Sequence, residues 1–262
     1  MDNSLNPHND LVLVDIDTGV MSIQLNRPAK KNALNLEMYR VMTSALNSAV
    51  DDVDVRVILL TGSEGCFTSG NDLADFANAS DLLSVNNPIV AFMTALSKCP
   101  KPVVVAVDGL AVGIGTTLLM HSDLVYASPK ATFKLPFVSL GLCPEFGASF
   151  LLPRIVGYAK AAQWLLFGDF FSSTEALNTG LINDVVEEPL VYAKAQSIKL
   201  AQQAPAAVRS AKALMKAPLQ PELDNVITTE IEMFTKALQG EEFKEAVTAF
   251  FEKRQPNFSE CK

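Results

Sequence analysis

The stretch GLCPEFGASF, residues 141–150, sets a carboxylate among apolar neighbours. A buried, unpaired carboxylate is costly and responds by holding its proton more tightly. With Leu142 and Phe146 close to it, Glu145 is expected to titrate at roughly 6–7, where one carboxyl group can both take up and return a proton. The same residue could instead open a helix after Pro144, its charge facing the helix N-terminus. Two other segments could hold the negative charge that proton removal creates. CFTSGNDLADF, residues 66–76, turns at Gly70 after an apolar run, and DGLAVGIGTTLLMHSD, residues 108–123, carries Gly109, Gly113 and Gly115 into an apolar helix expected to reach about Ser122. Glycine-rich turns leave backbone N–H groups free, and a helix N-terminus favours anions. Either loop alone could be a plain structural turn. The second lacks the last glycine and the distal acid of a dinucleotide-binding loop.

These residues need a scaffold. LVLVDIDTGVMSIQLN alternates on both sides of DTG and predicts a hairpin. Leu36, Tyr39, Met42, Leu46 and Val50 mark one helical face, with Asn35 as N-cap. VRVILLTG and PVVVAVDG predict buried strands, SDLVYAS a third, and ATFKLP a short fourth. From about residue 158 the pattern is helical. Ser172 and Glu175 form a capping box, Gly180 is a stop, and helices are expected over 190–203, 205–215, 222–238 and 240–254, punctuated by prolines. The apolar run Trp164–Phe167 reads as core or subunit packing, His121 as a core or supporting histidine, and Cys143 as small and buried. The fold class is mixed α/β: a core over residues 1–200 and a helical region over 201–262.

The totals bound the function. The chain has 262 residues, 49% hydrophobic and 19% charged, enough for a sizeable core. A net charge of −8 and a pI of about 4.8 argue against nucleic acid and anionic membranes as partners. Cys66, Cys99, Cys143 and Cys261 form no C-x-x-C pair, and there are two histidines, so neither a zinc cage nor a disulfide framework is expected. A reducing, cytoplasmic location fits. The apolar runs are too short and broken for a membrane span, and the opening MDNSLNPHND lacks the apolar run of a secretory leader.

Five segments, in order, carry a family resemblance: LNRPAKKNALN, FTSGNDLADF, AVDGLAVGIGTTLLMHSDLVYAS, KLPFVSLGLCPEFGASFLLPRIVG and AFFEKRQPNF. Together they resemble the crotonase superfamily, the enoyl-CoA hydratases and isomerases, over nearly the whole chain. The resemblance implies a spiral core of ββα turns, a helical trimerisation region giving a homotrimer or dimer of trimers, and an acyl-CoA thioester substrate with no separate cofactor or metal. It also implies that two backbone N–H groups hold the thioester oxygen. By position these are the amides of Asn71 and Ile114, where many relatives have glycine in place of Ile114. Ala29, Lys30 and Lys31 become candidates for the CoA nucleotide. Ser69, Gly70, Asp72 and Leu73 become candidates for the thioester wall, and Phe250 and Lys253 for a CoA contact from the C-terminal region.

Hydratases of this family use two glutamates, one on the helix after the glycine loop and one twenty residues later. Here those positions hold Thr117 and Phe137, which with Leu142 are expected to line the acyl pocket. Neither can activate water. CPEFG and SGNDL instead resemble Δ3,Δ2-enoyl-CoA isomerases, which use a single glutamate, and Glu145 matches it. A ring-expanding epoxide-CoA isomerase is the alternative, although such enzymes tend to place aspartate at this position. A non-catalytic acyl-CoA binder is the alternative from another class.

Overall fold

The runs VILLT and VVVAV are rich in β-branched residues without alternation, the pattern of strands covered on both faces. A computed structural model describes residues 11–72 and 87–261. Its strands are β1 (Val12–Asp17), β2 (Val20–Leu25), β3 (Val57–Thr61), β4 (Val103–Val107), β5 (Leu110–Val112), β6 (Leu124–Ala127), β7 (Thr132–Lys134), β8 (Phe171–Ser172) and β9 (Asp184–Val185). The main sheet runs β1-β2-β3-β4-β6-β9 and the smaller one β5-β7-β8. The β1–β2 hairpin is antiparallel, and the rest of the main sheet is parallel. Every residue of β3 and β4 is buried, whereas edge strand β1 has one buried residue.

Asn35 caps the helix Leu36–Asp51, its side chain accepting from Met38 N–H, and Met38, Tyr39 and Met42 enter the core. The helices Pro189–Ala201, Pro205–Lys216, Gln220–Leu238 and Glu241–Glu252 fall where the prolines and the apolar spacing put them. The capping box at Ser172 and Glu175 is formed.

Three elements differ from expectation. The apolar segment after Gly113 is not one helix but a turn of α-helix, Ile114–Thr117, followed by a 3₁₀ turn, Leu118–His121. A helix Pro88–Ser97, capped by Asn87, occupies a segment that periodicity left unassigned. A second, Ala148–Val156, forms despite Pro153 inside it. Packing overrides the proline's missing donor there: Phe150, Leu151 and Leu152 of this helix are buried. The run Trp164–Phe167 divides. Trp164 stacks on Phe171 at 3.7 Å and is buried with Leu165, while Leu166 and Phe167 are 64% and 71% exposed.

Candidate active site

The two glycine loops lie side by side because each supplies one residue to a short parallel pairing. Thr68 bridges Ala111, with Thr68 N–H donating to Leu110 O and Val112 N–H to Thr68 O. Asn71 and Ile114 stand three residues beyond these partners on their own segments. Glycine permits the approach. A Cβ on Gly70, whose φ is +92°, would sit 2.8 Å from Val112 O, and one on Gly115 would sit 2.4 Å from the Thr68 methyl. Leu34 holds the first loop from the other side, donating to Gly70 O and accepting from Asp72 N–H. The Tyr39 hydroxyl donates to the Asn71 side-chain oxygen. Among the described residues, neither the Asn71 nor the Ile114 N–H is donated to another group.

Glu145 is 4% exposed. It lies in the turn before the Ala148–Val156 helix, not within it, so a helix-opening role does not account for its position. Thr117 donates to its Oε1 at 2.6 Å, and Oε2 has no partner among the described residues. A narrow apolar cavity is lined by Asn71, Ile89, Val90, Met93, Glu145, Ile231 and Phe234. Burial pushes the Glu145 carboxyl up to about 8; the Thr117 hydrogen bond opposes this, and the nearby Glu230 charge adds to it. The value exceeds the 6–7 expected because burial is complete and a second carboxylate stands close by. Thr117→Val should raise the Glu145 titration further, by about one unit, as the hydrogen bond to the ionised form is lost. A ¹³C NMR titration of the Glu145 carboxyl carbon checks this; an unmoved midpoint would mean the bond does not operate in solution.

The cavity thus holds a carboxylate with one unpaired oxygen, and beside it lie two adjoining loops whose Asn71 and Ile114 amides are free. The sequence profile of the enoyl-CoA hydratase/isomerase family matches residues 15–261. The chain belongs to the enoyl-CoA hydratase/isomerase family. It is 34% identical to the 1,2-epoxyphenylacetyl-CoA isomerase of Escherichia coli K12, across 95% of this chain and 98% of that one. It is 41% identical over 182 residues to enoyl-CoA delta isomerase 2 of Rattus norvegicus, covering 68% of this chain and 46% of that longer protein. The solved structure of Pseudomonas aeruginosa OdaA superposes with a TM-score of 0.90 at 46% identity, covering 92% of this chain and 99% of that one. The fold is therefore the crotonase fold, and the family is one of enzymes.

Against this family frame the other candidates separate. Ala29, Lys30 and Lys31 are exposed, and Lys31 borders a surface groove with Pro28, Cys66, Leu110 and Lys130. Ser69 joins this edge, its N–H donating to Lys31 O. Asp72 is held by Arg27 at 2.6 Å, so its carboxylate is engaged in fixing the loop. Leu73 lies outside the described residues. Phe250 and Lys253 sit at the exposed end of the Glu241–Glu252 helix and do not border the Glu145 cavity. Phe137 and Leu142 are buried in the main core and are likewise not among the cavity's lining residues. Thr117, expected as pocket wall, is wholly buried and committed to Glu145.

Sequence reasoning missed Ile89, Val90, Met93, Ile231 and Phe234, which form most of the cavity wall. It also missed Lys130, the second cation at the groove, which pairs with Asp108 at 3.1 Å. Asn87-Pro88 was a readable helix-start signal for the first three. Nothing in the spacing ties residues 231 and 234 to residue 145. Cys143 is partly buried and its thiol is pushed up to about 11, mainly by burial, consistent with an unreactive side chain. Among the described residues no cluster suited to a metal ion occurs, and no helix is long and apolar enough to cross a membrane.

Proposed function

We propose that the chain is a Δ3,Δ2-enoyl-CoA isomerase acting in the oxidation of unsaturated acyl chains. The observation that carries the reading is Glu145, a buried carboxylate with one free oxygen, lining an apolar cavity in a chain that holds Thr117 and Phe137 where hydratases hold glutamates. Ionised Glu145 removes a proton from C2 of a 3-enoyl thioester. The electrons move toward the carbonyl oxygen, and the resulting dienolate is held by the N–H groups of Asn71 and Ile114. Protonated Glu145 then delivers the proton to C4, leaving the double bond between C2 and C3. No water is consumed, and the apolar wall of Ile89, Met93, Ile231 and Phe234 keeps it out. The groove at Lys31 and Lys130 offers two cations to the phosphates of CoA. Assembly as a homotrimer fits the exposed Leu166, Phe167, Leu214, Met215, Phe250 and Phe251, since a monomer rarely leaves so many large apolar side chains in water.

Purified protein given 3-hexenoyl-CoA is expected to form the conjugated 2-enoyl thioester. Because the base must be ionised, kcat/KM should rise with pH through an acid limb centred near the Glu145 value of about 8. No turnover, or a rate independent of pH from 6 to 9, would sink the proposal. The full-length similarity to an epoxyphenylacetyl-CoA isomerase supports a second reading, a ring-expanding isomerase of aromatic catabolism. Turnover of an aromatic epoxide thioester in place of 3-hexenoyl-CoA would favour it.

A further inference from the structure

We infer that Glu230, carried by the Gln220–Leu238 helix, is a positioning residue that fixes the turn presenting Glu145 to the cavity. The inference rests on reading Glu145 as the base. Glu230 stands on the apolar face of its helix, between Ile227, Ile231 and Phe234, and is 5% exposed. Its Oε2 accepts the Gly147 N–H at 2.5 Å. Its Oε1 accepts the Ser149 N–H at 2.9 Å and the Ser149 hydroxyl at 2.5 Å. These are N-terminal amides of the Ala148–Val156 helix, which has no cap from its own flanking side chains. A carboxylate more than eighty residues away therefore takes the place of the missing N-cap, where the helix dipole favours negative charge.

The turn it holds is one the chain would not keep unaided. Phe146 and Gly147 are consecutive left-handed residues, φ +58° and +72°, and a phenylalanine there is strained. Strain of this kind persists when the surroundings over-determine it. His121 supplies the second tether. Its ring stacks on Phe146 at 3.8 Å and Nε2 lies 2.7 Å from Phe146 O. Burial lowers its pKa to about 3, so the ring is neutral, and a carbonyl can only accept, which puts the hydrogen on Nε2. Releasing either tether frees the residues immediately after Glu145. The same helix that carries Glu230 also brings Ile231 and Phe234 to the cavity, so one element sets both the base and part of the wall it works against.

A charge effect accompanies the positioning. The titratable groups facing Glu145 are Glu230, Tyr39 and Cys143, and those facing Glu230 are Glu145 and Cys143. Burial keeps the Tyr39 hydroxyl and the Cys143 thiol protonated through neutral pH. Glu230 is therefore the neighbour whose charge Glu145 meets.

The test is Glu230→Gln in the full-length protein, assayed with 3-hexenoyl-CoA across pH. Glutamine keeps the volume but turns an NH₂ toward the converging donors. Expected are a kcat lower by about tenfold, a KM nearly unchanged, and an acid limb displaced to lower pH because a like charge has gone. A folded Glu230→Gln enzyme with the wild-type kcat and limb overturns the inference. So does a fall in kcat with an unmoved limb, which would mark a purely structural role. Should that variant not fold, Ser149→Ala removes one of the three donors at an exposed residue and must still lower kcat about threefold at constant KM; wild-type kcat there overturns the inference as well. Retained activity in Glu145→Gln would refute the reading beneath it. Loss in Glu145→Gln with no effect in Glu230→Gln refutes this inference alone.

Discussion

Glu145→Gln is expected to lower isomerase kcat by about 10² or more while leaving CoA-ester binding in place. Glutamine preserves the shape and the Thr117 contact but cannot accept a proton from C2 or give one to C4. The same change should stabilise the fold at alkaline pH, and the sign follows from linkage. The Glu145 carboxyl is raised from an ordinary 4.5 to about 8 in the folded chain. Below about 4.5 both folded and unfolded chains hold the proton and burial of the neutral acid carries no charge penalty. As pH rises from 4.5 to 8 the unfolded chain ionises freely while the folded one resists, so stability is lost across that window. Removing the ionisable group should recover roughly 3–5 kcal/mol at pH 9 relative to pH 4. Denaturant titrations of both proteins at the two pH values measure it. An activity loss joined to a stability gain is the signature of a group kept for chemistry at the expense of the fold. An unchanged rate would dismiss Glu145 as the base.

Gly70→Ala should have an effect of similar size, a fall in kcat of about 10²–10³, the loss typical of one oxyanion donor. The new methyl would lie 2.8 Å from Val112 O at a φ of +92°, so the first loop must move away from the second. The Asn71 amide, one residue on, moves with it. The fold should survive, because Leu34 still pairs with the loop on the other side and Arg27 still holds Asp72. Circular dichroism melts separate the two effects: a shift of a few degrees with a large kcat loss supports the amide's role. An intact kcat would mean the Asn71 N–H does not meet the developing charge.

The division between local and tertiary information is clear in this molecule. The strands at residues 57–61 and 103–107 and the C-terminal helices were legible because their periodicity and punctuation are local. The helix Ala148–Val156 was not, since Pro153 argues locally against it and only burial of its neighbours secures it. Glu145 could be found in the sequence because a carboxylate in an apolar run is anomalous within ten residues of chain. How firmly it holds its proton could not, because that depends on complete burial and on Glu230, which is remote in sequence.

The sequence by itself determined the family, the hairpin, the buried strands, the C-terminal helices, the two glycine loops and the one carboxylate out of place, each a matter of residue type and short spacing. Tertiary structure alone decided that Ile231 and Phe234 of the Gln220–Leu238 helix line the cavity with Glu145, that Thr117 donates a hydrogen bond to Glu145, and that Phe137 and Leu142 pack in the main core. Contacts between residues far apart in the chain, 28 positions for Thr117 and Glu145 and more than eighty for Glu230 and Gly147, depend on how layers pack, and packing is set by the shapes of whole faces, which no local spacing encodes.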